Sequence, residues 1–121
     1  LDAVFNYMNV EWVQRFCMDL PHATQTVQWE DSLVFKVGGK MFAVAALEPR
    51  GVWLSFKCSA EDFAELTERS GIIPAPYLAR ASWVGLVEED ALNGKELREQ
   101  LQRAYEMVLA KLPRKVRESL V

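Results

Sequence analysis

From Thr24 to Lys57 the chain keeps a period of two through four successive segments, "TQTVQW", "SLVFKV", "KMFAVAAL" and "GVWLSFK". Each is short and rich in β-branched and aromatic residues, and each is set off from the next by turn residues, which is the pattern of half-buried β-strands. Gly38-Gly39 supply the positive φ angles that a two-residue hairpin demands, and Pro49 followed by Arg50-Gly51 suits a type I or II turn. Four antiparallel strands joined by hairpins are therefore expected. Leu33, Phe35 and Val37 fall on one face, with Val34 and Lys36 on the other, so one face of the sheet can take helices while the other stays wet.

The flanking segments change to a helical period. Asn9 is placed to cap a first helix through Leu20, carried by Val10, Val13, Phe16 or Cys17, and Leu20, and stopped by Pro21. Ser59 is placed to cap a second, with Glu61 and Asp62 in its first turn, Phe63 and Leu66 facing inward, and Ser70-Gly71 at its end. The irregular stretch "GIIPAPYLARASWVGL" follows. Its prolines push Ile73 and Ala75 towards extended backbone, so it reads as an ordered crossing that leads into a fifth strand, "SWVGLVEE". Asn93 and Glu96 form a capping-box pattern ahead of a long helix striped by Leu97, Leu101, Tyr105, Val108 and Leu112, with Pro113 as its stop. Glu99 and Arg103 are spaced for an i,i+4 pair on that helix. The order α-β-β-β-β-α-β-α implies an α+β, two-layer sandwich: an antiparallel sheet with helices on one face.

A length of 121 residues suits one domain and one core. Met8 stands directly before the first helix cap, so the expected domain runs over 8–121, with residues 1–7 a remnant ahead of it. No apolar run approaches the roughly 20 residues of a membrane span. The N-terminal stretch also lacks a signal peptide's basic and cleavage regions, and a cytoplasmic location is expected. Cys17 and Cys58 lie far apart without metal-ligand spacing and read as buried free thiols.

Little points to catalysis. The single histidine, His22, follows Pro21 in a turn, with Asp19 as its only nearby metal-ligating neighbour. Glu61, Glu65 and Glu68 share a helix face and read as a solvated surface. "VGGKMF" lacks the earlier glycine and the following helix of a phosphate-binding loop. A non-enzymatic protein without catalytic residues, metal or cofactor is the expectation.

Charge is informative because it is uneven. The net charge is −3 and the pI near 5.2. Residues 58–94 hold two Arg or Lys against seven Asp or Glu, whereas residues 95–121 hold seven against four. Lys111, Arg114, Lys115 and Arg117 cluster at the end of the last helix, where they complement its dipole and also offer contacts for phosphate. Lys36, Lys40 and Lys57 sit on or beside the hairpins and Arg50 occupies a turn. Trp29 and Trp53 are stacking surfaces if exposed and core if not.

"PAPYLARASWVGL" and the closing "ELREQLQRAYEMVLAKLPRKVR", with "WVQRFCMDLPHATQTVQW" and "VFKVGGKMFAVAAL" before them, resemble the MmcQ/YjbR family of small bacterial proteins from about Met8 to Arg117. Pro76-Tyr77, Trp83-Val84 and Lys111-Leu112-Pro113 are the most specific pieces. The resemblance implies a compact domain similar to type III secretion chaperones or frataxin-like folds, and a DNA-binding role through two winged hairpins. Carried onto this chain, the wings are the Gly38-Gly39 and Pro49-Arg50 turns, with Lys36, Lys40, Arg50 and Lys57 as phosphate contacts beside the C-terminal cations. Ala104 stands where the family often has serine. Weak, sequence-tolerant binding of double-stranded DNA is the expected function; the alternative is a chaperone-like module for a protein partner, with no membrane role. In that module Tyr77, Arg80 and Trp83 form the partner surface, unless Tyr77 and Trp83 fold back on the sheet.

Overall fold

A computed structural model describes residues 9–120, apart from the side chains of residues 49 and 50. Helix α1 (Val10–Met18) precedes strands β1 (Ala23–Gln28), β2 (Ser32–Val37), β3 (Lys40–Arg50) and β4 (Val52–Lys57). Helix α2 (Ala60–Leu66), strand β5 (Ile72–Pro74), a 3-10 turn (Ala79–Ala81) and strand β6 (Trp83–Leu86) follow, and α3 (Gly94–Lys111) and α4 (Arg114–Ser119) close the chain. The strands form one antiparallel sheet in the order β1-β2-β3-β4-β6-β5.

The four-strand meander and the α+β class stand as expected, with two additions. Part of the proline-rich crossing pairs as β5, Ile72 opposite Leu86 and Pro74 opposite Val84. Proline fits there because β5 is an edge strand, where a missing N–H breaks no ladder. Pro113 ends α3 but also starts α4, consistent with the fixed φ of proline at helix starts. The first two helices are shorter than expected. Helix α1 ends at Met18, and α2 ends at Leu66, where the Thr67 hydroxyl donates to the Phe63 carbonyl at 2.7 Å.

The caps are those the sequence specifies. Asn9 accepts from the Trp12 N–H at 3.0 Å and Ser59 from the Asp62 N–H at 3.0 Å. Asn93 and Glu96 close a reciprocal capping box. Arg103 does not pair with Glu99; it reaches across to Asp62 on α2 at 3.2 Å, because α2 and α3 lie side by side.

The core lies between the sheet and the helices. Leu33, Phe35 and Val37 from β2, Leu54 and Phe56 from β4, and Val84 and Leu86 from β6 meet Val13 and Cys17 of α1, Leu66 of α2, and Leu97, Leu101 and Tyr105 of α3. A bulge makes room for one more large side chain. Phe35 pairs with Ala43 and Lys36 with Met41, so Phe42 has no partner of its own and also enters the core. Its ring meets Tyr105 edge-on at 5.6 Å, and the Tyr105 hydroxyl donates to the Pro21 carbonyl at 2.7 Å, tying α3 to the end of α1.

The opposite face of the sheet is not simply wet. Val34, Val44, Ser55 and Gly85 form one cross-strand row on it, and Val34 is fully buried. Residues 75–82 fold back beside this row: the Ala75 N–H donates to the Trp83 carbonyl at 3.0 Å, and the ladder puts Trp83 beside Lys57. Val34, Ala75 and Trp83 are all buried outside the main core.

Candidate nucleic-acid interface

The hairpin between β2 and β3 turns through Gly38 and Gly39, at φ 59° and 80°. Lys36 and Lys40 flank that turn, and Lys40 is exposed. Gly38 is also the surface on which the C-terminal segment rests. A methyl group there would lie 2.5 Å from Leu112 Cδ1 and 3.0 Å from Val116 Cγ1. Leu112 is buried and Val116 half-buried, so α4 is seated against the hairpin tip and carries Arg114, Lys115 and Arg117 with it.

Three further cations join from other elements. Lys57 ends β4 and donates from Nζ to the Ala81 carbonyl. Partial burial holds its ammonium below the usual lysine range, and the positive charge of Lys111 lowers it further. Leu112 rests on Gly38 and Phe56 pairs with Ala43, so Lys111 and Lys57 both lie at the Lys40 end of the sheet. Arg80, exposed in the 3-10 turn, precedes the carbonyl that Lys57 binds. Among the described residues of this group, only Arg114 is ion-paired, with Glu118 at 3.0 Å. Lys36, Lys40, Lys57, Lys111, Lys115 and Arg117 thus share one end of the domain without a carboxylate bridge.

Arg50 does not belong to that group. Successive turns of a meander alternate between the two ends of a sheet, and Arg50 lies ten residues along β3 from Lys40, about 30 Å away for an extended strand. The two turns expected to act together as wings therefore stand at opposite ends. The Arg50 side chain lies outside the described residues; its backbone closes the second turn opposite Val52, around Gly51 at φ 100°.

The partner surface expected from Tyr77, Arg80 and Trp83 is split. Trp83 is 3% exposed and has folded back on the sheet, because its side chain belongs to the face that residues 75–82 cover. Tyr77 is fully exposed. The other tryptophans divide in the same way. Trp53 is buried, with its indole N–H donating to the Glu88 carbonyl at 3.0 Å, whereas Trp29 is 61% exposed. Trp29 and Tyr77 stand at a groove of about 500 Å³ on the outer sheet face, whose lining includes Met41, Val44, Ser55 and Leu78. Composition and period could not reveal this groove, since it depends on how far the crossing reaches over the strands.

Glu65 and Glu99 border a cleft between α2 and α3 in which Asp62 and Glu96 already bind Arg103 and Arg69. Among the described residues no group of three or more His, Cys, Asp or Glu side chains is placed to hold a metal ion. Cys17 and Cys58 are buried free thiols, pushed up by burial to about 12 and about 11, so neither is a ready nucleophile at neutral pH. Among the described residues no helix is long and apolar enough to cross a membrane.

A family model described as YjbR matches residues 18–107, which span β1 to β6, the crossing and most of α3. The chain belongs to the YjbR family. The crystal structure of a Deinococcus radiodurans protein with a DUF419 domain is similar, with a TM-score of 0.82, 28% sequence identity and coverage of 93% of this chain and 87% of that one. A Pseudomonas syringae protein has the same fold, with a TM-score of 0.70, 19% identity and coverage of 84% of this chain and 99% of that one. No curated protein matches the chain. The YjbR resemblance and the α+β architecture read from the sequence are thus borne out. Within the YjbR match lie the β2–β3 hairpin and Lys57, while Lys111 and α4 fall just beyond it.

Proposed function

We propose that the domain binds DNA through its basic end, by phosphate contacts and with little sequence preference. One observation carries this reading: α4 packs on the Gly38 turn, which brings the C-terminal cations to the end of the sheet where Lys36, Lys40 and Lys57 lie. A chain that is acidic in sum then still presents one face where several phosphates can be neutralised together. Lysines without carboxylate partners are the groups that release counterions on binding.

The test is a titration of duplex DNA at two salt concentrations. Neutralising about four phosphates predicts a loss of affinity on the order of 100-fold between about 50 and about 200 mM monovalent salt. Binding that is absent at the lower salt, or indifferent to the change, rules the reading out.

The exposure of Tyr77 favours a second reading, in which the outer face holds a protein partner. A partner that stays bound after nuclease digestion and is lost in Tyr77→Ala would support it.

A further inference from the structure

We infer that the outer-face groove is a stacking site for unpaired bases, so that the domain prefers single-stranded DNA to duplex. The inference rests on the phosphate-binding reading of the basic end and adds what lies beside it. Trp29 and Tyr77 put two exposed aromatic side chains on a groove whose lining also includes Val44 and Ser55, an apolar surface with a hydroxyl on which a flat aromatic body can pack.

Charge favours DNA as the occupant. Met41 lines the groove and pairs across the strands with Lys36, on the same outer face. Ser55 lies two residues before Lys57, so Lys57 also projects from that face, about 7 Å further along β4. The groove therefore runs out at one end onto two lysines, beyond which lie Lys40 and Lys111. Bases in the groove would leave their backbone directed along the sheet towards the cations. Sequence-tolerant single-strand binders combine such aromatic platforms with a basic track. Bases held inside a duplex cannot enter the groove, which is the source of the preference.

Backbone geometry adds support. Trp29 and Tyr77 both sit in the left-handed region, at φ 53° and 67°, a conformation that bulky residues avoid. Neither ring is held there by burial, since Tyr77 is fully exposed and Trp29 is 61% exposed.

The probe is a thymidine oligomer of about ten nucleotides, compared with a duplex of equal length at low salt by fluorescence anisotropy. The oligomer should bind at least about tenfold tighter. Trp29→Ala and Tyr77→Ala should each weaken oligomer binding by about tenfold while leaving duplex binding unchanged. Both residues are exposed, and thermal melts of the variants should match that of the parent. Equal affinity for the two probes, or oligomer binding indifferent to both substitutions, overturns the inference while leaving the basic-end reading intact. Failure of both probes to bind removes the two together.

Discussion

Phe42→Ala is expected to lower the free energy of unfolding by about 3–5 kcal/mol, because it empties the place that the β3 bulge creates. Phe42 is fully buried, stacks edge-on with Tyr105 at 5.6 Å and lies 6.5 Å from Phe35. Strands on one side and α3 on the other hold that space open, so little of the cavity can collapse. The melting temperature should fall on the order of 15 °C, read by circular dichroism. A loss below about 1 kcal/mol would mean that the bulge does not turn Phe42 inward.

Gly38→Ala is the second large effect, and Gly39→Ala is its control. Both glycines have positive φ, so each substitution carries the backbone cost of an alanine in that region. At Gly39 the new methyl meets nothing within 4 Å, whereas at Gly38 it meets Leu112 Cδ1 at 2.5 Å. Leu112 is buried, so it must turn out of its place or lift α4 from the hairpin. The Gly38 variant should be destabilised by about 1–3 kcal/mol more than the Gly39 variant in urea denaturation. It should also bind duplex DNA more weakly, as α4 loses its seat. Equal costs at the two positions would show that α4 does not rest on this turn.

What the sequence made legible follows from which features are local. The meander was readable because a period of two and a glycine pair are written in neighbouring residues, and so were the caps at Asn9, Ser59 and Asn93. Strand β5 was not, since three residues ending in proline have no period, and only pairing with β6 makes them a strand. The burial of Val34 was hidden for a related reason: it depends on a crossing that returns over a face the strand pattern leaves open, whereas the folding back of Trp83 was one of the two readings of that crossing and Tyr77 did not share it. Arg103 has Glu99 at helical spacing, yet packing supplies Asp62. Pro113 was legible only as a stop, and the short helix it also starts was not.

The site was legible in part. Lys36, Lys40, Lys57 and the C-terminal cations were all visible as charges, but nothing along the chain says that Gly38 receives Leu112 and Val116. The separation of Arg50 from them was written in the order of the turns, since consecutive hairpins of a meander point in opposite directions.

Convergence of the cations at one end of the sheet is tested most directly by comparing duplex DNA affinity for two variants at low salt. The first replaces Lys40, Lys111, Lys115 and Arg117 with glutamine; the second replaces Arg50 alone. The first should lose about 100-fold in affinity and most of its salt dependence, while Arg50→Gln should bind like the parent. Unchanged affinity in the fourfold variant, or an equal loss in both, would contradict a phosphate-binding end built from the hairpin and the C-terminal helices.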